Sequence, residues 1–360
     1  EKLQNYFSYA NTTGHGIIGK HNLSKHNLTF RETSVLLNSR LKLDGSMNLM
    51  RQVVKNKPTV GGFYMNPLVG LYRFPRGEDI AYYKENFEVY DEGRNLNIQN
   101  WHTSYEDFEQ NPYWITNRIL SKENRMHVIV SLSANLKIND WLSLQARGNV
   151  DYINDKVRQQ FYASTAPALA GANGRYIEMD YQETQYYGDA ILMMKKQWDA
   201  FSLNAALGAS INDKTVNSTR YDSKTASLKY ANVFNLANII MNGSAGLDQK
   251  IDARRQLQSL FATAQLGYNE FVYLDLSARN DWSSTLAYTS HEKSGFFYPS
   301  VGFSLIFNKL MTLPRWVSLA KIRGAYSMVG NDIPMFITNP SSHITAGGEF
   351  LASDAAPFKD

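Results

Sequence analysis

Met126-His-Val-Ile-Val-Ser-Leu-Ser-Ala-Asn-Leu-Lys-Ile138 is followed, after Asn139-Asp140, by Trp141-Leu-Ser-Leu-Gln-Ala-Arg-Gly-Asn-Val-Asp-Tyr152. In the first segment Met126, Val128, Val130, Leu132, Ala134, Leu136 and Ile138 alternate with His127, Ser131, Ser133, Asn135 and Lys137. In the second, Leu142, Leu144, Ala146, Gly148, Val150 and Tyr152 alternate with Ser143, Gln145, Arg147, Asn149 and Asp151. A period of two sends one set to each face of a β-strand. The turn pair between the segments suits a tight antiparallel hairpin.

The same alternation recurs over 40–49, 201–212, 272–279 and 297–307, and more weakly over 2–10, 24–36, 184–197, 255–268 and 317–329. The pattern predicts about eleven strands. Short turns fall near 37–39, 139–140, 198–199, 269–270 and 308–316, whereas 11–23, 55–124, 156–183, 214–254, 285–295 and 330–360 are long. Short and long connections alternate, so all short turns lie at one end of the sheet and all long loops at the other. Outer-membrane β-barrels have this asymmetry, with short periplasmic turns and long extracellular loops. Trp141, Trp198, Phe201, Tyr268, Phe271, Phe307 and Trp316 sit beside the short turns, where a periplasmic aromatic girdle is expected.

Composition removes the competing classes. The 360 residues include no Cys, which excludes disulfides, thiolate metal sites and a cysteine nucleophile. The formal net charge of +4, evenly spread, is too mild for a nucleic-acid binder. Mean hydropathy is −0.39 and the longest purely apolar run is Ala190–Met194. A membrane-spanning helix needs about 20 apolar residues, so helical spans are excluded and strand spans are not. Arg40, Lys42, Asp44, Lys137, Arg147, Asp151, Asp275, Arg279, Asp281, Lys321 and Arg323 stand opposite the apolar stripe and are expected to line a wet lumen, mostly paired across strands. Both ends of the chain read as continuing into something longer.

Several segments resemble the SusC/RagA-like TonB-dependent transporters of the Gram-negative outer membrane. Leu274-Asp-Leu-Ser-Ala-Arg-Asn-Asp-Trp-Ser-Ser284 is similar to that family's strand ending in R-x-D-x-S-S, through Arg279, Asp281, Ser283 and Ser284. Phe297-Tyr-Pro-Ser-Val-Gly-Phe-Ser304 resembles its F-x-P-S strand start, through Pro299 and Ser300. Lys321-Ile-Arg-Gly-Ala-Tyr-Ser-Met-Val-Gly-Asn331 resembles its K-[IL]-R-x-S-Y-G-x-x-G-N strand, through Lys321, Arg323, Gly330 and Asn331. Asn66-Pro-Leu68 with Phe74-Pro75, and Asn111-Pro-Tyr-Trp114, resemble its loop signatures. The resemblance implies a 22-stranded barrel with an N-terminal plug, energised by TonB and capped by a SusD-like surface lipoprotein. The chain then corresponds to about half of the barrel domain, lacking the plug and the C-terminal strands. It implies active import of glycans or oligopeptides across the outer membrane, with no enzyme activity and no cofactor.

Alternative constellations are weaker. His15, His21 and His26 match no zinc spacing, and no metal is expected. His127, Ser131 and Ser133 share one strand face, but nothing in the sequence supplies an orienting carboxylate or a nucleophile–base contact. Segment 226–240, with Leu228, Ala231, Phe234, Ala237 and Ile240, reads as a short amphipathic helix packed within its loop. Loop 55–124 is rich in aromatics and amides suited to sugars or extended peptides. Its Trp101, Tyr105, Tyr113 and Trp114 are candidate contacts for substrate or lipoprotein, with packing of the loop as the competing role. A self-contained outer-membrane barrel serving as adhesin or enzyme accounts for the strands and loop asymmetry but not the motifs. A soluble β-rich carbohydrate binder accounts for the aromatics alone.

Overall fold

The structure is a computed structural model describing residues 2–57, 64–103, 109–224, 228–240, 246–314 and 316–338. Eleven strands form one antiparallel sheet: β1 (Lys2–His15), β2 (Asn22–Leu36), β3 (Leu41–Lys55), β6 (Ile119–Lys137), β7 (Leu142–Phe161), β8 (Arg175–Trp198), β9 (Phe201–Asp222), β10 (Gly246–Tyr268), β11 (Val272–Ser283), β12 (Phe296–Ile306) and β13 (Lys321–Ser327). Spatial order follows chain order, interrupted only by β4 (Glu88–Asp91) and β5 (Leu96–Gln99), which pair with each other inside the connection between β3 and β6. Among the described residues β1 pairs only with β2 and β13 only with β12, so the sheet is open. Among the described residues no helix is long and apolar enough to cross a membrane.

Turn chemistry fixes the short connections. Asn269 and Glu270 both have positive φ (47° and 59°), which matches the twist of the flanking strands. Asn139 accepts the backbone N–H groups of Trp141 (3.0 Å) and Leu142 (2.9 Å), closing the turn read from the sequence. Aromatics form a row at this end of the sheet. Trp198 faces Phe201 at 6.2 Å, Phe201 meets Tyr268 at 5.0 Å, and Tyr268 meets Phe271 at 5.6 Å.

The two faces differ in kind. Cross-strand register aligns Met47, Val130 and Val150 on one face, and Asp44, Ser133 and Arg147 on the other. From the short turns, the first face is apolar for eleven residues over Leu142–Tyr152 and over Phe201–Ile211, and for nine over Tyr268–Leu260. It then turns polar, at Asn154, Asp213 and Gln258. Asn5, Glu32 and Ser34 on β1 and β2 are exceptions within the band. Band residues such as Leu132 (66% exposed) and Leu207 (53%) are more than half uncovered by protein.

The strands run well past this band, which corrects the sequence reading. The connections expected at 55–124, 156–183 and 214–254 shrink to 56–118, 162–174 and 223–245. Beyond the band both faces carry polar groups, so the alternation fades while the ladder continues. A second correction concerns 226–240. Its described residues hold a 3-10 turn at Leu236–Asn238, no α-helix. Asn238 donates to the carbonyls of Tyr230 (2.8 Å) and Val233 (2.6 Å), and Leu228 bridges Ile239, both buried. Local side-chain hydrogen bonds outcompete the helix there.

The buried core lies at the loop-bearing end. Trp114, Ile115, Phe161, Ala163, Ala170, Ile177, Leu228 and Ile239 are all buried. The 56–118 connection carries α1 (Pro67–Arg73), α2 (Ile80–Glu85) and α3 (Pro112–Arg118), of which α3 packs on β6 and on α1. The two Asn-Pro signatures are helix starts. Asn66 accepts the Leu68 N–H (3.0 Å) and Asn111 the Tyr113 N–H (2.8 Å), each with proline in the first turn.

Candidate binding surfaces at the loop end and on the inner face

The inner face is a ladder of ion pairs. Arg31–Asp44 (2.7 Å), Arg125–Asp155 (2.6 Å), Arg147–Asp189 (2.7 Å), Lys214–Glu183 (2.6 Å) and Arg175–Asp222 (2.8 Å) each join adjacent strands. His127 Nε2 lies 2.7 Å from Asp151 Oδ1, which supplies the carboxylate the sequence left open. Among the described residues neither Ser131 nor Ser133 hydrogen-bonds to His127, so no nucleophile–base contact exists. His15 bonds Asn22, whereas His26 bonds Tyr9 and Ser24. No group of three metal-ligating side chains forms among the described residues.

At the loop end, Phe74, Tyr83, Trp101 and His102 pack together, with Trp101 centroids 5.2, 5.3 and 4.8 Å from the other three. The buried Glu109 carboxylate anchors the cluster, accepting from Trp101 Nε1 (3.3 Å) and pairing with Arg73 and His102 (both 2.8 Å). Arg118 grips Glu88 through two nitrogens (2.7 and 2.6 Å) and lies over the Phe87 and Tyr162 rings. Trp114, 1% exposed, donates its indole N–H to Thr165 (3.1 Å) in the 162–174 connection. Trp101 and Tyr113 are half-buried, and Tyr105 lies outside the described residues.

Between this layer and the inner face is a recess of about 390 Å³. Ile18, Met65, Ile119 and Phe161 contribute apolar walls, with His21, Lys57 and Glu123 at the rim. Burial holds the His21 imidazole below its ordinary value, so it is neutral at pH 7. Lys57 and Glu123 lie 3.7 Å apart. None of Trp101, Tyr113 and Trp114 lines this recess. A larger open concavity of about 840 Å³ lies on the other face around Gly45 and Gly148 and belongs to the apolar band.

The motif residues of β11 and of the segment after β13 converge on a residue the sequence reading missed. Ser283 (2.7 Å) and Thr285 donate to the Asp332 carboxylate, which also pairs with Arg255 and accepts the Ile333 N–H (2.8 Å). Burial alone would raise the Asp332 pKa, but the two hydroxyls, the Ile333 amide and Arg255 outweigh it and hold the carboxyl below its usual range. The one signal in the sequence is its place directly after Gly330-Asn331. Gly330 packs on Tyr298, where an added Cβ would be 3.1 Å from the ring, whereas Asn331 is exposed. Arg279 pairs with Asp281 (2.7 Å), donates to Ser259 (2.9 Å) and stacks on Phe261. Ser284 accepts the Gln256 N–H (2.9 Å), and the Pro299 carbonyl accepts the Met328 N–H (3.0 Å). Ser300 stands between Ser277 and Ser327, while Lys321 and Arg323 are exposed on β13. The motif residues are thus spread along strands as wall and anchor, except where they meet at Asp332.

One continuous antiparallel sheet with an apolar belt on one face, charges on the other and all long loops at one end is a fold found in solved structures of larger proteins. The solved structure of the RagAB peptide importer in its open-open state matches 95% of this chain and 36% of its own, at TM-score 0.66 and 18% identity. The RagAB peptide transporter matches 91% of this chain and 35% of its own, at TM-score 0.63 and 17% identity. P. aeruginosa FpvA bound to a pyoverdine–Fe complex matches 84% and 36%, at TM-score 0.52 and 12% identity. Identities this low establish the fold, and the chain spans about a third of each of these proteins. No family model and no curated protein matches the sequence.

Proposed function

We propose that this chain is barrel wall from an outer-membrane importer driven through TonB. Its apolar belt faces lipid, its ion-pair ladder faces the transport path, and its long loops face the cell exterior. The observation that best supports this is the belt height. On β7, β9 and β10 nine to eleven residues are apolar outward before the same face turns polar, against about 9–11 for a tilted strand crossing a bilayer. A contiguous uncovered apolar face of this extent is a liability in water and an asset in lipid. Unpaired strand edges in hydrocarbon cost several kcal/mol per backbone group, so the remaining strands of a 22-stranded barrel are placed against β1 and β13.

The cargo is placed as an oligopeptide, as described for the RagAB structures. The recess beside α1 and α3 supports this over a glycan, because it offers both charge signs on an apolar floor, with Phe161 the one phenyl, phenol or indole ring lining it among the described residues. The half-buried Trp101 and Tyr113, with Tyr105, are assigned to contact with a SusD-like lipoprotein lid, and Trp114 to holding the surface they stand on. Energy enters through a plug domain that engages TonB.

Uptake by cells carrying the full-length protein tests this reading. Labelled oligopeptides should enter, and a protonophore or deletion of the TonB-contacting segment should stop entry while surface binding persists. Entry of oligosaccharides but not peptides would reassign the cargo. Undiminished uptake without TonB would make the protein a passive pore, and recovery of the protein without detergent would end the membrane placement. Photo-crosslinkers at Trp101 and Tyr113 should capture the surface lipoprotein; capture of periplasmic proteins alone would invert the sidedness.

A further inference from the structure

We infer that the outer face of β3, β6 and β7, just above the apolar belt, docks a multiply phosphorylated lipid headgroup of the outer leaflet. This rests on the membrane placement proposed above. Lys55 stands directly opposite Lys122, and Lys122 directly opposite Arg158. All three lie on the face of Met47, Val130 and Val150 and are exposed. Two interstrand spacings of about 4.8 Å place the three cations within about 10 Å of one another. Arg51, opposite Met126, adds a fourth cation on the same face at the edge of the belt.

Like charges directly opposite one another weaken a sheet, so such a row is retained against its own local cost. Arg158 is offset by Glu178 (3.0 Å), and the neighbouring Lys156 by Asp180 (3.4 Å). Among the described residues, the side chains of Arg51, Lys55 and Lys122 have no hydrogen-bond or ion-pair partner. Toward β2 their neighbours on this face are Asn22, Ser24 and His26, none of them acidic. Farther along the sheet the charges that follow the belt are matched, as in Arg254–Asp213. Three uncompensated cations are therefore concentrated on one side of the sheet.

Depth selects the partner. Met126 ends the belt on β6, and Lys122 lies four residues beyond it. At about 3.3 Å per residue and a tilt near 40°, that is roughly 10 Å above the hydrocarbon edge. Arg51 sits at the edge itself, and basic side chains extend along the strand surface while keeping the charged head in the polar layer. Arg51 thus lies in the headgroup layer, about 5–8 Å thick per leaflet, while Lys55 and Lys122 stand just past its outer boundary, within side-chain reach of it. An acyl-anchored ligand fills this geometry, with tails on Val130 and Val128 and phosphates on the row above. A free anion would use the cations alone.

The test uses the full-length protein in dodecylmaltoside with fluorescent bisphosphorylated lipid A as probe. Lys55→Gln/Lys122→Gln should weaken lipid A binding by roughly 30-fold, about fivefold for each cation removed. Dephosphorylated lipid A should bind wild type and variant alike, and pyrophosphate at equal concentration should not compete. Equal lipid A affinity in both proteins would overturn the inference, as would competition by pyrophosphate at the level of lipid A, which would make the row a free-anion site. Either result in a protein that still fractionates with outer membranes leaves the importer reading standing. A variant that loses lipid A but still folds, shown by unchanged heat-modifiable mobility, is the expected outcome.

Discussion

The Phe261 ring on β10 packs directly against the Gly208 backbone on β9. A Cβ added at Gly208 would lie 2.4 Å from Phe261 Cζ, and the two residues are register partners on the inner face. The Arg279 guanidinium lies 5.7 Å from the centroid of the same ring, so a missing side chain, a ring and a cation form one stack across three strands.

Gly208→Ala should therefore displace the ring and disturb the Arg279 contact, at a cost of about 1–3 kcal/mol. In a Phe261→Ala background the same substitution should cost almost nothing, because the clashing partner is gone. Unfolding of the intact protein in lipid, for the two single variants and the double, measures the coupling. Additive effects would show that the ring tolerates a methyl group at 208.

The ion pairs on the two faces of the sheet are not equal in worth. Asp189 has a fully buried side chain that accepts from Arg147 and from the Tyr187 hydroxyl (2.6 Å), whereas Lys156–Asp180 is exposed on both sides. Asp189→Ala strands two donors, softened by the half-exposed Arg147 reaching water, and should cost about 1–3 kcal/mol. Asp180→Ala should cost less than about 1 kcal/mol. Equal losses in urea titrations of the two variants would contradict the burial difference.

Asp332 makes the 328–338 segment sensitive to acid. Its folded-state pKa lies below the ordinary carboxylate value, so its contribution is complete above that value and is lost as pH falls through the folded one. A spin label at the exposed position 336 should stay ordered from neutral pH down to about pH 4 and become mobile below it. Asp332→Asn should leave the label mobile at every pH. Unchanged mobility between neutral and strongly acid pH in the wild-type protein would mean that Ser283, Thr285 and Arg255 do not hold the segment through this carboxylate.

These relationships differ in how far the sequence discloses them. Leu142–Tyr152 is legible because one face lacks protein cover and is apolar, so burial or lipid imposes a period of two. From Asn154 to Phe161 the same strand carries Lys156 and Arg158 outward and Asp155 inward, and the contrast that marks a strand disappears although the pairing with β8 continues. Asn66-Pro67 and Asn111-Pro112 carry an N-cap signal that is visible in the sequence, although both lie within a stretch whose pattern otherwise marks a loop. Asp332 is different again. It meets Ser283 from 49 residues away, and no local spacing encodes a contact made by folding a segment back across a sheet.

The assignment of faces is tested most directly on β6. Leu132 stands between Gly45 and Gly148, covers the gap above Gly45 with a Cδ2 3.2 Å from where a Cβ would be, and is otherwise uncovered. It lies six residues from each end of the apolar stretch Met126–Ile138, near the bilayer midplane in the proposed placement. Leu132→Arg should cost about 2–4 kcal/mol. Ser133 faces the other way, between Asp44 and Arg147. An arginine there meets one opposite and one like charge beside water, so Ser133→Arg should cost far less. Reversible unfolding of the intact protein in lipid, or heat-modifiable gel mobility where unfolding is irreversible, ranks the two variants. Equal tolerance, or the reverse order, would exchange the lipid and lumen faces of β6, and with them those of β3 and β7, which are locked to it in register.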